Sequence, residues 1–312
     1  MKRILLSLSV IAAVVAIAAG VTTAFYQDTE TSTGNTFAAG GIDLKVDSTA
    51  HYNGMVCVCP AGAACTWQPE TNTQPPFYPA QGSACTGTWG QTDLKDGIRR
   101  FFDYKDLKPG DHGEDTVSLH VIGNDAWGKF DIANVLDLGN TCVDPETEAT
   151  ADADCFNQVP GTPEPDPNGE LRENLMFSVW LDQGTIPGFQ NNNPEGTIID
   201  HEEGDNIWQR EVEPIIITPG TIDAGGESYL LSDALKAVYQ IACLQSPADG
   251  HTSYGPCHGI AEDGRMVGSA VYYFGIDWDL PLATGNEIQT DELKMDLIFK
   301  AVQQRNNPSQ TF

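Results

Sequence analysis

The chain has 312 residues, with 44 acidic side chains against 16 basic ones and a formal net charge of −28. That balance excludes nucleic acid as a partner, because no basic patch exists to displace counterions from phosphates. A chain of this length can bury a sizeable core, so disulfides from its eight cysteines would staple loops rather than replace a core.

Lys2 and Arg3 make a basic start, Ile4 to Ala19 is apolar, and Val21-Thr22-Thr23-Ala24 offers small residues for cleavage. This order predicts a secretory signal over residues 1–23. The chain would then meet the membrane only through that segment, before cleavage, and be secreted to the exterior or cell surface. The ribbon that follows, "AFYQDTETSTGNTFAAGGIDL", is rich in threonine, which favours extended backbone. As a strand over Ala24 to Asn35 it would set Phe25, Thr29, Thr31 and Thr33 on one face and Tyr26, Asp28 and Glu30 on the other. Gly34 offers a pivot before a home domain at 36–305.

Beyond the ribbon, alternation dominates. Ile42, Leu44 and Val46 face one way, as do Val117, Leu119 and Val121, then Phe130 and Ile132, then Tyr272, Phe274, Ile276 and Trp278. The cleanest row is Leu293, Met295, Leu297, Phe299 and Ala301. Period two over such runs marks strands with one buried face; roughly eight predict a mainly β, two-sheet sandwich. Three long insertions interrupt the pattern, at 50–95, 140–172 and 184–210, and a short helix is expected within Tyr229–Leu244. Residues 306–312 read as a frayed tail.

An even cysteine count in an exported chain predicts disulfides. Cys142 with Cys155, and Cys243 with Cys257, would each close a short loop. Cys57, Cys59, Cys65 and Cys85 would pair among themselves in an order the sequence leaves open. The competing zinc site, Cys57, Cys59 and Cys65 with a histidine, has the spacing of no common finger or ribbon.

Catalytic motifs are missing. "HEEGDNIW" at His201 has Asp205 where a zincin helix needs its second histidine, and there is no G-x-S-x-G elbow. Calcium is the better-motivated cofactor. Asp144 to Glu173 holds nine acidic residues and one basic one, and Glu164, Asp166 and Asn168 alternate ahead of Gly169 like the first half of a calcium loop. Leu175 stands where the closing carboxylate belongs, so no EF-hand forms. Glu202 and Asp205 make a second oxygen-rich turn.

The hydrophobic signal, the Thr-rich ribbon, "DLKPGD" before an alternating strand, and "GIDWDLPLATGNEIQTDELKMDLIFKAVQQRNN" together resemble the TasA/camelysin family, in particular its longer archaeal and deep-branching bacterial members. The resemblance implies a jelly-roll sandwich with a SipW-type signal, secreted as a monomer that polymerises with itself into surface or biofilm-matrix filaments by donor-strand exchange. Ala24 to Asn35 would be the donated strand. Leu119, Phe274, Leu297 and Phe299 would line the acceptor groove, and matrix or cell-surface components would be further partners. The family also brings a camelysin-type metallopeptidase label, for which the residues supply no zinc-binding constellation. A calcium-dependent adhesin using Trp67, Trp89 or Trp208 is the third reading.

Overall fold

The alternation read at 42–46 persists for eleven residues. Strand β2 (Ile42–Tyr52) buries every second side chain without interruption, as a strand with one core-facing side must. The computed structural model describes residues 27–31, 42–94, 98–166, 168–190, 198–244 and 255–312. The signal segment, Ala24, Phe25, Tyr26 and Thr33 lie outside the described residues, and of 27–31 only the backbone is described.

The remaining strands are β1 (Gln27–Thr31), β3 (Met55–Val58), β4 (Thr66–Pro69), β5 (Trp89–Thr92), β6 (His112–Gly123), β7 (Ala126–Leu138), β8 (Met176–Leu181), β9 (Ile215–Gly220), β10 (Glu227–Leu230), β11 (Val271–Asp279) and β12 (Glu292–Gln303). They form two antiparallel sheets. The smaller runs β1-β12-β7-β10; the larger runs β4-β3-β2-β6-β11-β8-β9, with β5 also on β2. The chain is therefore mainly β, as its alternation predicts.

The core lies between the sheets. Leu44, Val46, Val117, Leu119 and Phe274 from the large sheet, and Phe130, Ile132, Leu297 and Phe299 from the small one, belong to one buried cluster. Phe299 sits at its centre, with ring centroids 4.9 Å from Phe130, 5.6 Å from Phe274 and 6.3 Å from Phe101. Strand β8 departs from alternation: all but Met176 of its residues are buried. The following segment reaches back over it, with Trp208 stacked on Trp180 at 6.4 Å. A continuous apolar run is what a strand covered on both faces requires.

Two of the three insertions carry more structure than the sequence suggests. Residues 50–95 extend the large sheet through β3, β4 and β5. The second insertion contains the single-turn helices α1 (Asp144–Thr147) and α2 (Leu171–Asn174). The expected helix is α3 (Leu231–Val238), continued by a wider π turn at Tyr239–Cys243. It buries Leu231, Leu235 and Val238, while Leu230 ends β10 instead.

All eight cysteines are paired: Cys57–Cys85, Cys59–Cys65, Cys142–Cys155 and Cys243–Cys257. The two short-loop closures match their spacing. The zinc alternative fails because the three sulfurs it needs are already bonded to sulfur. The tail reading is also corrected. Asn307 is 2 % exposed, Trp127 Nε1 donates to its carbonyl at 2.6 Å, and Ser232 Oγ donates to Gln310 Oε1 at 3.0 Å. Residues 306–312 dock because these partners replace the water a free tail would keep.

Candidate functional sites: an edge strand and a carboxylate cluster

The first site is the rim of the small sheet. β1 pairs with β12 of its own chain, from Gln27 opposite Val302 to Thr31 opposite Ile298. Thr29 and Thr31 of the expected donor strand are thus at home in this chain, on a sheet edge. The pairing uses five residues of a twelve-residue strand. Among the described residues, Glu292–Leu297 has no partner on that side, its other side being taken by β7. Such an edge presents unpaired N–H and C=O groups to any extended segment.

The expected acceptor groove needs correction. Leu119 stands opposite Val46 and Tyr272, and Phe274 opposite Val117 and Leu181, so both strands are hydrogen-bonded on both sides. Leu119, Phe274, Leu297 and Phe299 are at most 3 % exposed. They fill a closed core rather than line an open channel. Only Leu297 and Phe299 lie on the strand that carries the open edge.

The second site lies in the second insertion. Carboxylate oxygens of Asp152, Glu164 and Glu170 come within 4.8 Å of one another, with Glu146 and Asp291 beside them. Asp152 is held by its own loop, Oδ1 accepting from the backbone N–H of Asp154 at 3.1 Å and of Cys155 at 2.7 Å. Asp291 Oδ2 accepts from the backbone N–H of Glu170 at 2.7 Å and of Leu171 at 3.2 Å. Glu164 lies over Gly139, where a Cβ would collide with its carboxylate, and Gly169 leaves similar room for Asp291. Burial, then mutual repulsion, raises Glu146 and Glu164 to about 7, Glu170 to about 8 and Asp291 to about 6.

Of the residues expected to bind calcium, only Glu164 joins this cluster. Asp166 Oδ1 is occupied by Asn168, whose backbone and side-chain amides donate to it at 3.0 and 2.7 Å. Glu202 is exposed, and Asp205 Oδ1 accepts from the Ile207 N–H and the Gln209 amide. In that turn the carboxylates are spent on backbone donors. Asp182 takes the Gly204 and Asn206 N–H groups, Glu203 that of Gln190, and Glu213 those of Gly184 and Gln209. They organise the loop as side-chain acceptors. Asp152 and Glu170 carry no loop motif of their own, so only tertiary proximity reveals them.

No protein-family model, curated protein or solved structure matches the chain.

A cleft of about 600 Å³ opens beside β6, lined by His51, Glu70, His112, Glu114, Asp205, Asn206 and Asp277 among others. Burial, with Asp277 and Asp182 nearby, drives Glu114 to about 10, so it is a neutral acid at pH 7. Burial lowers His51 to about 4. Its Nδ1 meets Asn206 Nδ2 at 2.6 Å, which makes it the acceptor. The lining holds no serine or cysteine, and among the described residues no group of three potential metal ligands includes a histidine. Trp67 is buried at 4 % exposure. Trp208 is stacked on Trp180 and carries the Arg210 guanidinium 4.7 Å from its ring centre. Neither offers the free ring face a sugar platform needs. No described helix is long and apolar enough to cross a membrane, and four disulfides point to an oxidising compartment.

Proposed function

We propose that this chain is a secreted structural subunit, polymerising into extracellular filaments when the N-terminal strand of one copy pairs along β12 of the next. The observation that carries the reading is the cover of β12 among the described residues: five residues of β1 against a strand of twelve. The paired numbers of that register total 329. Continued in both directions, it sets 24–35 against 294–305, so the ribbon has the length to cover almost the whole edge. Exchange replaces an intrachain pairing by the same pairing between chains, which leaves the energy of the shared ladder unchanged. Every further residue paired adds main-chain hydrogen bonds worth about 0.5–1.5 kcal/mol each. The ladder is backbone-directed, so the weakly apolar, threonine-rich ribbon suits it.

The resemblance to the TasA/camelysin family supports the same reading, and the signal-like start and the disulfides agree with assembly outside the cell. Two experiments test it. In negative-stain micrographs the secreted protein should form filaments, and a variant lacking 24–33 should stay folded and monomeric. Thr31→Cys with Ile298→Cys should yield an intrachain disulfide in monomer but interchain ladders on non-reducing gels of assembled material. Filaments that persist without 24–33, or that carry only intrachain bonds, would refute strand exchange.

A further inference from the structure

We propose that Asp152, Glu164 and Glu170 hold a divalent cation, calcium by the chemistry of the donor set, and that this ion locks the second insertion to the small sheet. A group of acids alone would not carry this, since exposed carboxylates commonly cluster without an ion. Here the oxygens are buried and unspent. Asp152 is 1 % exposed, and its Oδ1 is occupied by two backbone donors. Glu164 Oε1, Glu170 Oε2 and Asp291 Oδ1 are each fully enclosed and without a hydrogen-bond partner. None of these residues forms an ion pair with a described lysine or arginine. A buried carboxylate oxygen with neither donor nor cation is costly, and several around one point are relieved by taking up protons or by sharing a positive charge.

The geometry selects the ion. Oxygens bound to one calcium at 2.3–2.6 Å lie roughly 3–5 Å apart, and the three carboxylates offer oxygens within 4.8 Å of one another. All donors are oxygen; the adjacent Cys155 is bonded to Cys142 and offers no thiolate, which removes the soft ligands zinc prefers. Glu146 and Asp291 border the site and can fill further coordination positions of a cation that takes six to eight. The ligands come from two segments, the Cys142–Cys155 loop and the stretch from Glu164 to Glu170. Asp291, whose carboxylate grips the Glu170 N–H, stands immediately before β12. An ion here therefore fixes the insertion against the strand that bears the open edge.

Calorimetric titration of calcium chloride into the disulfide-intact, metal-stripped protein, at roughly 0.15 M salt to screen the acidic surface, tests this. Wild type should show one saturable site. Glu164→Gln and Glu170→Gln should each weaken it by roughly tenfold or more, and Glu202→Gln, on the separate acidic turn, should leave it unchanged. Magnesium should bind more weakly. Hydrogen exchange on wild type needs no variant and should show calcium slowing exchange across 140–171. The assignment is overturned by absence of saturable binding up to about 10 mM calcium, by diffuse weak binding equal in wild type and variants, by magnesium binding as tightly, or by unchanged exchange.

Discussion

Phe299 is wholly enclosed and touches aromatic rings from both sheets, so trimming it leaves a cavity that its neighbours cannot fill without moving. Phe299→Ala should cost about 3–5 kcal/mol in chemical denaturation. Its position is legible in the sequence, because the 293–301 alternation sets it on one face with Leu297 and Ala301. Asp182 and Glu213 are not legible in that way. They stand far apart in the chain, within segments lacking any period, and meet through a side-chain hydrogen bond to each other and through the loop's backbone donors. Burial holds both carboxyls above their ordinary range, with Asp205 adding repulsion at Asp182 and Asp182 adding it at Glu213. The folded state thus binds a proton more tightly than the unfolded chain. That contribution is complete below the ordinary carboxyl range and is lost as pH rises through the raised folded values. The unfolding free energy should fall between about pH 5 and pH 8, and Glu213→Gln should flatten the slope in denaturant titrations run at each pH.

Elements with long, regular alternation declare themselves: β2, β6, β11 and β12 follow from their residues. The four-residue strands β3, β4 and β5 do not, since the stretch that holds them is broken by Gly, Pro and Cys. Their order is enforced from outside by β2 and by the two disulfides. The chain-entropy relation makes those staples unequal. Opening Cys57–Cys85, which closes a 28-residue span, should cost roughly 3–4 kcal/mol, and opening Cys59–Cys65, with a span of 6, roughly 2 kcal/mol. Serine pairs at each site, compared in urea, would rank them. Helix α3 was partly readable from Leu231, Leu235 and Val238, but its π continuation has no sequence mark. β1 is the reverse case: its strand character is written in its threonines, whereas its partner is a property of the sheet and not of the ribbon.

At the scale of the whole molecule, a charge of −28 keeps separate copies apart in dilute salt, so any self-contact must be short-ranged and backbone-directed, as pairing along an edge is. The mainly β class follows from composition and alternation together. The carboxylate cluster does not, because its members meet only when the second insertion folds back on the turn before β12. The docked C-terminal residues bear on how the protein is handled. Phe312 has its ring 5.8 Å from the Lys129 ammonium on β7, and Gln310 is tied to the first turn of α3. A purification handle or fluorophore fused there would start against the wall of the small sheet instead of from a loose thread.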